Sequence, residues 1–180
     1  MGDARIPKKV NLFAGLLSNE AALFQDAKER LEKIFGRIDY EGPEMNFTHT
    51  EYYKDEMGEA LKRKFLSFEK LIDPEDICSV KIMTNSLEKD FSVSGRRRIN
   101  IDPGYLDLSK IVLFSTKDYS HRVYLGKGIF AEVTLFYKDK SYNPWPWTYP
   151  DYKTTDYQAI FGKMRDIYKN KIGTGAKNHD

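Results

Sequence analysis

The sequence predicts an α+β domain, built on a mostly antiparallel sheet of about six or seven strands with three helices. Two observations predict this class. Short apolar segments bounded by turn residues recur along the chain, which is typical of strands. Three longer segments instead carry apolar residues at helical spacing. The first six elements follow the βαββαβ order of ferredoxin-like domains, extended by a β-meander and a C-terminal helix.

The first half of the chain supplies the ferredoxin-like start. Extended segments are predicted at 10–17, 38–53 and 61–72. After the first of them, Ser18 and Asn19 offer capping oxygens to an amphipathic helix, and Gly36 suits the residue that ends it. A second helix is expected to begin at Pro74, because Asp73 can cap it and proline is tolerated in a first turn.

The second half is predicted to be strand up to the last helix. Strands are expected at 98–102, 110–117, 122–125 and 129–137. Asp102-Pro103-Gly104 reads as a turn between the first two. The last helix is expected to begin near Thr155 and end before Gly173, so that 1–172 form a single domain and 173–180 a flexible tail. Three helices are too few to cover both faces of such a sheet, so one face is expected to stay partly open.

Composition excludes several classes of protein. With 29 Lys and Arg against 27 Asp and Glu, 41% apolar residues and 14% aromatics among 180 residues, the chain is too apolar to be disordered. It has no apolar run long enough for a spanning helix and no secretory signal in its first thirty residues, so we expect a cytoplasmic protein without a membrane partner. The single Cys78 can form neither an internal disulfide nor, by itself, a zinc cluster. Oligomeric state is left open.

Two groups of polar residues are candidates for catalysis. His49 and Glu51 share a face of an extended chain, which suits a base with its carboxylate or two metal ligands, and equally an imidazole packed at a sheet edge. Asp102 and Glu132 lie on different strands and would line one cavity if both strands expose the same side. Two carboxylates near a cation suit acid–base work or a divalent metal, and equally a structural ion pair. The catalytic candidates are therefore His49, Asp102 and Glu132, with Asp102 and Glu132 as the candidate metal ligands.

Further residues are candidates for ligand binding. The turn 115–122 concentrates three basic or imidazole side chains, and the segment 144–152 interleaves prolines with Trp and Tyr. That segment suits either a stacking wall for a planar ring or a plug for the end of the sheet. The ligand-binding candidates are Tyr53, Arg98, Asn100, Lys117, His121, Arg122, Thr134, Tyr149 and Asp151.

Several long motifs resemble a known family. They are NFTHTEYYKDEMG, KFLSFEKLIDPEDI, RRRINIDPGYLDLSKIVLFSTKDYSHRVYL, GIFAEVTL and WTYPDY. The chain closely resembles, from Val10 to about Tyr168, the prokaryotic family known as domain of unknown function 4416. Members often carry the label "GTP-binding protein", but the phosphate-binding loop G-x-x-x-x-G-K-[ST] is absent here. The resemblance implies a family pattern at Tyr53, Glu56, Gly58, Asn100, Asp102, Gly104, Lys117, His121, Glu132, Thr134 and 148–152.

These observations lead to a first hypothesis and alternatives to it. In the first, the open sheet face binds a small anionic ligand, phosphorylated or nucleotide-like, with positive charge from Arg98, Lys117 and Arg122. Acid–base or metal-assisted chemistry at this site is then an option, with a divalent metal as the candidate cofactor. In the second, the chain is a non-catalytic RNA- or protein-binding module that uses Arg96–Arg98 and the Trp/Pro/Tyr segment. A subunit role in an assembly is a third reading.

Overall fold

The computed structural model of the chain describes residues 2–48 and 52–175. In these ranges one antiparallel sheet contains β1 (Val10–Ser18), β2 (Ile38–Glu41), β3 (Met45–Asn46), β4 (Lys62–Ile72), β5 (Asn100–Leu106), β6 (Lys110–Ser115), β7 (Val123–Gly126), β8 (Ile129–Lys138) and β9 (Ser141–Pro144). The helices there are α1 (Ala21–Phe35), α2 (Lys54–Met57), α3 (Ile77–Asp90) and α4 (Thr155–Gly175). The α+β class is confirmed, although strands and helices both exceed the predicted numbers.

The ferredoxin-like start is visible in the strand order. The strand order of the sheet is β2-β4-β1-β5-β6-β8-β7. The four strands of the βαββαβ unit are β1, β2, β4 and β5, and β1 lies between β4 and β5. Helix α1 forms where the apolar spacing predicts it, and it ends at Gly36, whose φ of 90° favours glycine. Pro74 begins a single 3-10 turn that leads into α3.

Helices cover both faces of the sheet, contrary to the expectation of one open face. On β1, Leu12, Ala14 and Leu16 pack against α1 and α3. Phe13, on the opposite face, packs against Phe161 of α4. All nine residues of β1 are buried, which is typical of a strand that is covered on both sides. Neither face of β1 is therefore open.

The predicted turn Asp102-Pro103-Gly104 is instead the middle of β5. Glycine is required at position 104 because neighbouring strands pack closely against it, not because the chain turns there. A Cβ on Gly104 would lie 2.5 Å from Cζ of Phe13 and 2.6 Å from the carbonyl oxygen of Val112. Pairing of β5 with β6 begins only at Gly104, so the proline lies outside that ladder.

The later strands do not form a simple meander. Strand β7 pairs with the far edge of β8 rather than with β6, so the segment 116–122 crosses the end of β8. Strand β9 was not predicted; it pairs with β8 beyond β7. The crossing segment brings its basic residues against the inner face of β8.

The C-terminal helix is longer than predicted. It continues through Gly173 to Gly175, because Lys171 anchors its last turns on the sheet through the carbonyl of Phe68 at 2.7 Å and the carboxylate of Asp39 at 2.5 Å. The remainder of the predicted tail, 176–180, lies outside the described residues. None of the helices in the described part of the chain combines the length and the apolar character that crossing a membrane requires.

Candidate functional site

The candidate site lies where β5 and β6 separate. The two strands pair from Leu106 and Ile111 as far as Gly104 and Leu113, and then diverge while each keeps its other neighbour. Two cavities adjoin this divergence. We call the one of about 440 Å³ between the strands and α3 the fork, and the one of about 380 Å³ beneath 149–152 the chamber. They share seven lining residues, so we treat them together as one cleft.

A buried arginine forms one wall of the chamber. Arg63 of β4 is 3% exposed, and its Nη1 donates a hydrogen bond to Oδ2 of Asp102 at 3.0 Å. Oδ2 of Asp151 lies 3.8 Å from Nη2. Burial by itself would raise the pKa of Asp102, but the charges of Arg63 and Lys81 outweigh it and hold that pKa below its ordinary value. The carboxylate is therefore ionised near neutral pH.

A second buried ion pair closes the opposite wall. Nε of Arg122 donates to Oε2 of Glu132 at 2.8 Å, and both side chains are almost completely buried. Arg122 also donates to Oγ of Ser115 at 2.7 Å, to the carbonyl of Lys117 at 3.0 Å and to the hydroxyl of Tyr149. Since all three of its nitrogens are engaged, Arg122 fixes the crossing segment against β8.

Helix α3 supplies the polar floor of the fork. The backbone of Ile101 has no partner on β6, and two side chains of α3 take that place. Oε1 of Glu88 accepts the N–H of Ile101 at 2.7 Å, and Nζ of Lys81 donates to its carbonyl at 3.3 Å. Burial raises the pKa of Glu88 to about 7, against the lowering effect of Lys81. The fork therefore contains a carboxyl group that titrates near neutral pH.

Aromatic side chains line much of the remaining cleft. Tyr53 and Tyr149 line both cavities, and burial raises the pKa of each, so both are neutral hydroxyls. Lys117 lies at the mouth, where Nζ donates to the hydroxyl of Tyr52 at 2.8 Å and lies 4.1 Å from the centre of that ring. The site combines flat aromatic walls with charged groups at defined positions.

Most of the predicted site residues gather in this cleft. Asp102 and Glu132 line the same cavity, as the strand positions predicted. The ligand candidates that line the chamber, the fork or both are Tyr53, Asn100, Lys117, Arg122, Tyr149 and Asp151. Among them Asn100 belongs to the fork, where its Oδ1 accepts a hydrogen bond from Arg97 at 2.9 Å.

The predicted placement of Arg98 beside Asn100 is wrong. The chain bends before β5 begins, so the alternation that placed Arg98 beside Asn100 does not extend to it. Arg98 pairs with Glu20 just before α1, and its neighbour Arg97 lines the fork instead. The alternation of side chains between two faces holds only inside a strand.

Two other candidates lie behind the chamber wall rather than in it. Nε2 of His121 is 3.1 Å from Oε2 of Glu132, and the hydroxyl of Thr134 donates to Oε1 at 3.2 Å. Both side chains therefore position Glu132, and neither lines the chamber or the fork. His49 and Glu51 lie outside the described residues.

The two parts of the Trp/Pro/Tyr segment have different surroundings. Its first part stacks outside the chamber, with the rings of Trp145 and Trp147 5.2 Å apart and the ring of Trp147 5.9 Å from that of His121. Its second part, from Tyr149 to Tyr152, lines the chamber. The side-chain oxygen of Thr148, 2.5 Å from the carbonyl of Thr134, attaches the segment to β8.

Within the described part of the chain, Asp102 and Glu132 belong to no cluster of metal-binding side chains. Across residues 2–48 and 52–175, no group of three or more His, Cys, Asp or Glu side chains is arranged to hold a metal ion. Asp102 and Glu132 face different arginines, and each has an oxygen committed to its own partner. The geometry therefore does not support the predicted role of this pair as metal ligands.

Sequence reasoning missed Arg63, Lys81 and Glu88. A signal was present for the last two, because they lie seven residues apart on the buried side of an amphipathic helix, beside Ile77 and Thr84. Charged residues at such positions usually have a specific partner or role. The sequence carries no comparable sign that Arg63 lines a cavity.

Comparison with known proteins places the chain in a family. The family model described as "Domain of unknown function (DUF4416)" matches residues 8–168, and the chain belongs to this family. Neither a curated protein nor a solved structure gives a significant match.

Proposed function

We propose that this DUF4416 domain binds a small anionic molecule in the cleft formed by the chamber and the fork. One observation carries the proposal. Lys81, Lys89 and Lys117 line the fork, and none of them forms an ion pair with a carboxylate of the described residues. Lys81 is only 6% exposed, and burying an ammonium that has no direct carboxylate contact is costly, although the charges of Asp102 and Glu88 act on it from a longer distance. An anionic guest supplies a direct counter-charge.

The size of the cleft supports a small molecule. Each cavity lies within the roughly 300–1,000 Å³ that is usual for small-ligand sites, and mixed aromatic and polar walls are typical of them. If the domain performs acid–base chemistry on its ligand, Glu88 is the best-suited carboxyl group, because its pKa lies near 7. Asp102 and Glu132 are each committed to an arginine.

The RNA-binding alternative has less support. Arg97 is paired with Glu56 and Arg98 with Glu20, so two of the three successive arginines already have carboxylate partners. Phosphate-backbone binding depends on cations that are free to replace counterions.

A thermal-denaturation screen tests the proposal. The probes are inorganic phosphate, pyrophosphate, ribose 5-phosphate, citrate and the four common ribonucleoside 5′-monophosphates. A ligand present at 100 times its Kd stabilises the folded state by about 2.7 kcal/mol, which raises the Tm of a chain of this size by about 5–10 °C.

Two variants show whether the binding site is the cleft. Lys117→Met removes a cation at its mouth, and Lys169→Met removes an exposed cation on α4 as the matched control. We expect the first variant to reduce the ligand-induced rise in Tm and the second to retain it. If no probe raises the Tm, or if both variants respond alike, the proposal is wrong.

A further inference from the structure

Charge is distributed unevenly between the two parts of the cleft. In the chamber, Arg63 and Arg122 are paired with Asp102 and Glu132, and the carboxylate of Asp151 lies nearby. An anionic group placed there would meet three carboxylates, while the charge of each arginine is already balanced by a carboxylate. The chamber is therefore a poor place for the charged end of a ligand.

The fork is the opposite case. Its lining contains three lysines and two carboxyl groups, Glu88 and Asp102, and Asp102 is already bound to Arg63. Lys81 donates one hydrogen bond, to the carbonyl of Ile101. Since an ammonium has three N–H donors, two have no partner among the described residues and can bind a guest. At neutral pH a substantial share of Glu88 is protonated, which lowers the negative charge of the fork further.

The chamber instead offers hydrogen-bond donors that no described residue uses. The hydroxyl of Tyr152 and the Nε–H of Arg63 are buried in its wall, and neither has a hydrogen-bond partner among the residues that the structure describes. Buried polar groups are almost always paired, by protein, water or ligand. Tyr53 and Tyr149 add aromatic surface between the chamber and the fork. These groups suit a planar ring that carries a carbonyl oxygen or a ring nitrogen.

From this separation we propose that the ligand is a phosphate ester of a ring-bearing compound, with a nucleoside monophosphate as the simplest member of the class. The phosphate lies in the fork against Lys81, Lys89 and Lys117. The ring lies in the chamber, where an uncharged acceptor takes hydrogen bonds from Arg63 and Tyr152. A phosphate monoester, with nearly two negative charges and three acceptor oxygens, suits three lysines better than a carboxylate does. This inference rests on the proposed function.

Calorimetric titration at pH 7 tests the class and its orientation. The probes are the four common ribonucleoside 5′-monophosphates, their parent nucleosides and ribose 5-phosphate. Lys89→Met/Lys117→Met changes two exposed side chains of the fork. Tyr152→Phe removes an unpaired buried hydroxyl, so the folded state should tolerate it. Circular dichroism checks that both variants are folded.

We expect at least one nucleotide to bind more tightly than ribose 5-phosphate. The double lysine variant should lower its affinity by about tenfold or more and leave the parent nucleoside unaffected, because charged hydrogen bonds contribute most to binding of the phosphate. Tyr152→Phe should weaken the nucleotide and nucleoside by similar factors and leave ribose 5-phosphate unchanged.

The outcomes separate this inference from the proposed function. If ring-free anions bind as tightly as every nucleotide, or if Tyr152→Phe weakens ribose 5-phosphate selectively, the assigned class or orientation is wrong while anion binding in the cleft stands. If no anion binds at all, both proposals are wrong.

Discussion

The carboxyl group of Glu88 should make the stability of the protein depend on pH in a way that one substitution removes. Burial raises its pKa from an ordinary value of 4.5 to about 7 in the folded state. The folded protein therefore retains a proton that the unfolded chain has already released. The stabilising effect of that proton is fully present below pH 4.5 and is lost as pH rises through 7.

The magnitude follows from the two pKa values. At about 1.4 kcal/mol per pKa unit, the raised pKa of Glu88 adds about 3 kcal/mol to the free energy of unfolding at low pH. About 2–3 kcal/mol of that stabilisation is lost between pH 5 and pH 8. Glu88→Gln keeps an oxygen that can accept the N–H of Ile101 but cannot ionise. The free energy of unfolding of the wild type should therefore fall by about 2–3 kcal/mol relative to this variant across that interval.

Urea denaturation at pH 5, 6, 7 and 8 measures the difference. Glu56→Gln is the matched control, because hydrogen bonding from Arg97 lowers the pKa of Glu56. The contribution of Glu56 is lost only as pH falls through its folded pKa, so this variant should differ from wild type by a nearly constant amount from pH 5 to 8. If Glu88→Gln and wild type also differ by a constant amount, the account of Glu88 as a carboxyl group titrating near neutral pH is refuted.

Two further predictions concern the framework around the cleft. Gly104→Ala should lower the free energy of unfolding, measured by chemical denaturation, by about 1–3 kcal/mol, because the new methyl group would overlap Phe13. Gly162→Ala, in open space on α4, should instead raise it by about 0.5–1 kcal/mol, and equal effects of the two would contradict the packing argument. Glu132→Gln and Arg122→Met should each lower the free energy of unfolding by about 3–5 kcal/mol, because each leaves a buried charged partner without its ion pair. The double variant should lose less than the sum of the two, and strict additivity in the double-mutant cycle would show that the pair is not coupled.

Local signals in the sequence were reliable where the physics is local. The terminal glycine of α1, and the proline that begins the turn before α3, depend on neighbouring residues alone, and they lie where predicted. The predicted cap of α1 is wrong, because its N-cap is Glu20 rather than Ser18 or Asn19 and no side chain caps the helix by a hydrogen bond. The short strand β9 was missed, because four residues carry little periodicity. The glycine of β5 was misread as a turn residue, since its reason is the ring of Phe13 on an adjacent strand.

The site was predicted in part for the same reason. The rule that alternate residues of a strand share a face correctly predicted that Asp102 and Glu132 line one cavity, because each lies well inside a regular strand. It failed for Arg98, which precedes its strand, and it had no means of finding Arg63. Which arginine neutralises which carboxylate depends on strand order, and several orders are compatible with one sequence.

The sequence by itself therefore determined the α+β class, the ferredoxin-like start and the family, because periodicity, capping and motifs are properties of consecutive residues. Only the tertiary structure decided that α4 covers the second face of the sheet, that β5 and β6 diverge, and that the gap is lined by lysines which have no ion-pair partner within 2–48 and 52–175. These features arise from contacts between residues far apart in the chain. Their energies depend on distance and burial, which the order of residues does not specify.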